Sequence, residues 1–185
     1  SSVQDMYFSD YAVTNETVGI PSEAVKTLAE NDAVESVSTT RLSVFMPGAG
    51  DILPFETDLS VQSHETLQLV NVDEAQLQIY APNLSAQDKQ ALKDGTGCLV
   101  KNPIAFSYGD TTVQQTDLTV GDTIQLGDRT LPVLGLIDTA ITINNDGFTN
   151  GVQLIVNDEI YCSLLGNDSY SEVYPTLQDH ADPAP

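Results

Sequence analysis

Residues 118–138 read LTVGDTIQLGDRTLPVLGLID. Val120, Thr123, Ile124 and Leu126 lead into Gly127-Asp128, and Leu131, Val133, Leu134, Leu136 and Ile137 follow. β-favouring residues on both sides of a Gly-Asp pair predict two strands around a tight turn. The pattern on its own is common to many β proteins, so its meaning depends on what lies around it.

Upstream, the chain opens as strand–helix–strand. Tyr7, Phe8, Tyr11 and Val13 form an apolar-rich run, and residues 15–19 are turn chemistry. Pro21-Ser22-Glu23 predicts a helix start, with proline in the first turn and an acid at the positive end of the dipole. Val25, Leu28 and Ala29 share a helical face, and the helix ends near residues 30–32. Val34, Val37, Leu42, Val44 and Met46 describe a long strand that the Pro47–Gly50 cluster stops.

Residues 51–81 read as polar-interrupted β, with Leu67 and Leu69 on one face and Leu77 and Ile79 continuing the strand theme. A second helix is better marked: Ser85 caps it, Asp88 follows in capping-box position, and Gly95 and Gly97 end it. Residues 98–100 are a short buried strand. After the opening stretch, residues 139–143 and 152–156 are expected to pair around Asn144-Asn145-Asp146-Gly147. A last helix starts at Asn157 or Asp158, carries Ile160, Tyr161, Leu164 and Leu165, and stops at Gly166. Residues 177–185 are polar, proline-rich and read as a frayed end.

Composition narrows the function classes. The 185 residues suffice for one substantial core or two small lobes sharing one. Hydrophobic residues make up 41% and aromatics 6%, with no Trp, so the core rests on Val, Leu and Ile. There are 27 acidic residues against 6 basic ones, a formal net charge of -21. That field repels phosphate backbones and anionic headgroups, so nucleic-acid binding is not expected. The acidity reads first as solubility in an extracellular medium, and second as an acidic face that recruits cationic peptides. The longest apolar run, residues 131–137, is interrupted by Pro132 and Gly135 and falls short of a membrane span. Cys98 and Cys162 are compatible with one disulfide and equally with two buried thiols; reduced packing is the preferred reading.

Chemistry-bearing motifs are scarce. His64 and His180 are isolated and read as solvated. Gly95-Thr96-Gly97 lacks the lysine and spacing of a phosphate loop. Asp73-Glu74 and Asp158-Glu159 are carboxylate pairs in a chain too acidic for any pair to stand out. Residues 144–147 lack the alternating ligands and later glutamate of a calcium loop. Sequons at Asn15, Asn83 and Asn167 carry no weight. No catalytic, cofactor-binding or metal residue is named, and no cofactor is expected.

The order of these motifs resembles the extracytoplasmic, MacB-like periplasmic core domain of MacB/FtsX-type ABC-transporter permeases. Asp10-Tyr11-Ala12-Val13, the helix from Ile20 to Leu28, and Val34-Glu35-Ser36-Val37 are similar to that family's opening. So are ALKDGTGCLV at 91–100, the Val120–Ile124 and Val133–Leu136 segments, and the strand–helix close at 152–161. The resemblance covers about residues 7–166.

It implies an α+β fold: a porter-like βαβ unit plus an inserted, mostly-β lobe with short helices. Residues 1–51 would be the first porter half. Residues 52–185 would hold the inserted lobe, about 64–166, and a frayed tail. On this resemblance the second porter half, a strand plus a helix, would be missing. The implied protein is no enzyme. It is an extracellular domain on a cell membrane, excised from its membrane helices. It binds or gates substrate and relays ATP-driven motion from a cytoplasmic ABC ATPase. A second permease copy is the expected dimer partner, and a peptide or lipid-like molecule the cargo. The alternatives are a freestanding secreted binding or adhesion module and a secreted hydrolase.

Overall fold

The structure is a computed structural model that describes residues 19–143 and 151–179, together with the backbone of Val13 and Thr14. The calls on Tyr7, Phe8, Tyr11, Asn15, the 144–147 turn and His180 lie outside the described residues.

In chain order the elements are β1 (Val13–Thr14), α1 (Ser22–Ala29), β2 (Val34–Phe45), β3 (Thr66–Val72), α2 (Glu74–Tyr80), α3 (Ala86–Asp94) and β4 (Cys98–Lys101). There follow β5 (Ser107–Tyr108), β6 (Thr111–Thr112), β7 (Thr123–Leu126), β8 (Arg129–Leu136), β9 (Gly151–Ile155), α4 (Asp158–Leu165) and β10 (Glu172–Leu177). Among the described residues, eight strands make one mixed sheet in the order β1-β10-β2-β3-β9-β4-β8-β7, and β5 and β6 form a separate hairpin. β3 runs parallel to β9 and β4 parallel to β8; the other pairs are antiparallel. This is an α+β fold, as the resemblance implied.

Strand alternation explains the core. Leu67, Leu69, Cys98, Val100, Val152 and Leu154 point to one face, where they meet Ile160 and Tyr161 of α4. Val70, Leu99 and Ile155 point to the other, against Leu92 of α3 and Leu77 and Tyr80 of α2. A third cluster joins Leu28 of α1 to Val34 and Val173. With helices on both faces, β4 and β9 are buried along their whole length, as is β3 from Thr66 to Asn71. Such strands lose the in–out polarity pattern that marks a half-buried strand.

The opening stretch forms the expected hairpin. Ile124 faces Leu131 and Leu126 faces Arg129. Gly127 at φ 61° makes the turn, where a β-carbon would lie 2.9 Å from Leu164 Cδ2. Val120 stands exposed in the preceding turn rather than in the strand.

Two expectations are corrected. Leu77 and Ile79 belong to α2, not to a strand: Asp73 accepts from the Gln76 N–H and so caps a helix start. Residues 139–143 do not pair with 152–156. β9 has both edges occupied by β3 and β4, and the buried Gln153 side chain takes the place of a ladder. It accepts from Ile141 N (2.9 Å) and donates to Ile141 O (2.7 Å).

Leading into the 177–185 tail, residues 172–177 form β10, inserted between β1 and β2. β2, before residue 51, and β3, after it, are neighbours in the one sheet. β2 pairs with β10 through residues 34–40 and with β3 through residues 40–45.

Candidate functional site

Two clefts stand out. The first, about 330 Å³, opens beside the far half of β2, where Leu42, Ser43 and Val44 face Tyr161 and Tyr170. β10 ends its pairing at Thr40, and beyond it Ser171 substitutes for a strand. Its hydroxyl accepts from Leu42 N (2.9 Å) and donates to Leu42 O (3.2 Å).

Behind the Tyr170 wall of this cleft lies Arg41, which is only 4% exposed. Its Nε and Nη2 both donate to the Asp168 carbonyl, at 3.2 and 3.0 Å. Nη1 donates to Asn71 Oδ1 at 2.8 Å and lies 3.6 Å from the exposed Asp158 carboxylate. The guanidinium carbon sits 3.9 Å from the Tyr170 ring centroid. Asn71 in turn donates to Val156 O at 3.1 Å. A buried cation needs a full set of acceptors, and Arg41 has one. It therefore ties β2, β3, the end of β9 and the loop after α4 together rather than reaching for a ligand.

Above it, Ser43 and Tyr161 share a 2.6 Å hydroxyl–hydroxyl bond. Burial pushes the Tyr161 phenol up, opposed by the Ser43 bond and by Arg41. A phenol held neutral cannot act as a base toward Ser43, so the pair supplies hydrogen-bonding groups, not an activated nucleophile.

The second cleft, about 410 Å³, lies between the α2–α3 connection and β8, with Tyr80, Leu84, Leu134, Leu136 and Asp88 among its walls. Leu84 closes over the Gly135 backbone.

A separate buried polar feature is Glu65, 1% exposed at the start of β3. Its carboxylate accepts from Thr116 N (2.7 Å) and from the Thr116 hydroxyl (2.6 Å). His64 Nε2 approaches the same carboxylate at 3.9 Å, and its ring meets Phe106 edge-on at 6.2 Å. His64 is exposed, and its ring contact is with Phe106 of the 102–118 segment.

The other residues weighed in the sequence serve local structure. Asp73 caps α2 and also accepts from Thr39 N (2.8 Å). Asp158 and Glu159 occupy the first turn of α4; Glu159 pairs with Arg129 at 2.8 Å. Gly95, at φ 77°, ends α3. Asn83 lies exposed in a turn, and the exposed Asn167 accepts from Ser169 N through its side chain. Cys98 and Cys162 are both free thiols, and burial pushes Cys98 up to about 12. Among the described residues there is no group of three or more His, Cys, Asp or Glu placed to hold a metal ion. Arg41 and Glu65 went unremarked in the sequence. Glu65 is in register with Leu67 and Leu69, a charge on the core-facing side; Arg41 is out of register with Leu42 and Val44 and carried no such signal.

No family profile matches the sequence, and no curated protein matches it. Solved structures do. The chain is similar to the extracellular domain of the noncanonic ABC-type transporter YknZ from Gram-positive bacteria. The TM-score is 0.50 at 11% identity, over 89% of this chain and 76% of that one. The periplasmic region of MacB from Actinobacillus actinomycetemcomitans aligns with a TM-score of 0.46 at 11% identity, over 92% of this chain and 69% of that one. What is shared at such identity is the fold: this chain has the fold of an ABC-transporter extracellular domain. No described helix is long and apolar enough to cross a membrane.

Proposed function

We propose that this chain is the non-catalytic extracellular domain of an ABC-transporter permease, displayed on the outer side of a cell membrane. The supporting observation is the likeness in fold to the YknZ extracellular domain over 89% of the chain. In this reading the domain binds or gates a peptide or lipid-like cargo. It relays motion from a cytoplasmic ATPase through membrane helices, and a second permease copy stands beside it.

Residues 1–51 act as the first porter half and about 64–166 as the inserted lobe. A relay needs stiffness between the two. β2 supplies it, because its 12 residues are hydrogen-bonded to β10 at one end and to β3 at the other. Arg41 locks the crossing point.

The full reading frame and its neighbours test the proposal. Membrane helices flanking this domain and an adjacent ATPase gene are the expected finding. A signal peptide with no membrane helix on either side ends the reading in favour of a freestanding binding module.

A further inference from the structure

Nine large apolar side chains stand exposed among the described residues, and five of them gather at one end of the sheet. Met46 and Ile52 (91% exposed) ride on the tight turn after β2, where Asp51 N donates to Met46 O. Ile104, Phe106 and Tyr108 (83% exposed) project from the 102–118 arm that carries the β5–β6 hairpin.

The two groups flank the same pair of residues. The Gly48 backbone presses on the Ser63 carbonyl, and Phe106 packs on the ring of His64. Exposed apolar side chains scattered singly carry no meaning, but a contiguous patch marks an interaction site.

The hydrogen bonds that pin the arm to the rest of the described residues gather at its root. Asn102 and Leu118 exchange two hydrogen bonds, at 2.8 and 2.9 Å, and Thr116 is held by Glu65. Between these clamps the Gln115 amide is buried with neither its nitrogen nor its oxygen paired among the described residues. A buried unpaired amide costs free energy, so the described residues do not fully satisfy the arm.

The patch is rimmed by one sign of charge. Residues 46–52 contain Asp51, and residues 102–118 contain Asp110 and Asp117; neither segment holds a single Lys or Arg. A second copy would bring like-charged rims together, at a net charge of -21 each. Anionic lipid is repelled for the same reason.

We infer that this end of the sheet docks a protein partner whose contact surface is apolar at its centre and bordered by lysine and arginine. Aromatic anchors in the centre would supply the affinity, and the acidic rim the orientation and on-rate. The inference stands on the patch alone and is independent of the transporter reading.

The test uses isotope-labelled protein titrated with a synthetic amphipathic helix of leucine and lysine, alongside its leucine–glutamate twin and phosphatidylcholine vesicles. The expected result is amide shifts confined to the 46–52 turn and the 104–118 arm, with the lysine peptide only. Tyr108→Ser should weaken binding about tenfold, and Asp110→Lys should weaken it further at low salt. Ile79→Ser, an exposed apolar change on α2, serves as the control that leaves binding unchanged.

Three results would each overturn the proposal. One is shifts spread over the acidic surface and insensitive to Tyr108→Ser. Another is binding to the neutral vesicles that Tyr108→Ser abolishes. The last is concentration-dependent self-association of the protein that the same substitution removes.

Discussion

The middle of the sheet and the 102–118 arm are built on opposite terms. β9 lies between β3 and β4, covered by α4 on one face and by α2 and α3 on the other, and every residue in it is buried. The arm has one short hairpin, two clamps at its root and three large apolar residues in solvent. The first region spends its apolar residues on folding. The second keeps them available, so it is the region free to change without loss of the fold.

Leu154→Ala attacks the first region and should produce the largest effect. Leu154 is fully buried among Leu69, Val100 and Ile160, and removing its branched end there should cost about 3–5 kcal/mol in urea unfolding. A loss under about 1 kcal/mol would mean the two faces are not packed as described. Arg41→Ala should follow at about 2–4 kcal/mol, because it leaves Asn71 and the Asp168 carbonyl short of a donor in a buried setting. Equal stability to the parent would show that the network is replaceable.

Glu65→Gln should cost about 1–2 kcal/mol, and the effect should be local. One oxygen still accepts from Thr116, while the other position becomes an amide facing a donor. Hydrogen exchange is expected to speed at residues 113–118 while the amides of β9 keep their protection. Uniform acceleration across the molecule would erase the distinction between the two regions.

The thiols sharpen the same contrast through pH. Burial raises Cys98 from its ordinary 9.0 to about 12. Between those values the unfolded chain has lost a proton that the native one retains. The Cys98 contribution to stability is therefore intact below pH 9 and declines as pH rises toward 12. Cys98→Ala should flatten that limb of a stability–pH curve, and native protein should label at Cys162 well before Cys98. Smallest of all, Tyr108→Ser should move unfolding stability by less than about 0.5 kcal/mol, since its side chain touches mostly solvent. A larger loss would mean the arm packs as core.

How much of this was legible varies by element. Ser85 with Gly95, and Asn157 with Gly166, bracket α3 and α4 to the residue, because capping is a local exchange of hydrogen bonds. α2 was misread because Leu77 and Ile79 alternate as a strand does, although Asp73 carried a readable cap. β10 was hidden by Pro175. A proline inside a strand argues against reading the segment as one, yet Pro175 holds its place in β10 opposite Val37 of β2. Neither cleft had a sequence signature, because each is assembled from segments far apart in the chain.

The 118–138 stretch shows where the division falls. Its turn, its two strands and the helices on either side follow from residue types within a few positions of one another. That much the sequence determined by itself, along with the Val/Leu/Ile core and the acidic surface. Only the tertiary structure decided that β9 enters between β3 and β4, that Gln153 holds Ile141, and that Arg41 bridges four segments. It also decided that the 46–52 turn and the 102–118 arm, which carry five exposed apolar side chains, flank Ser63 and His64. Those outcomes depend on which distant strand edges remain free after the first pairings form, and nothing in a local window records that.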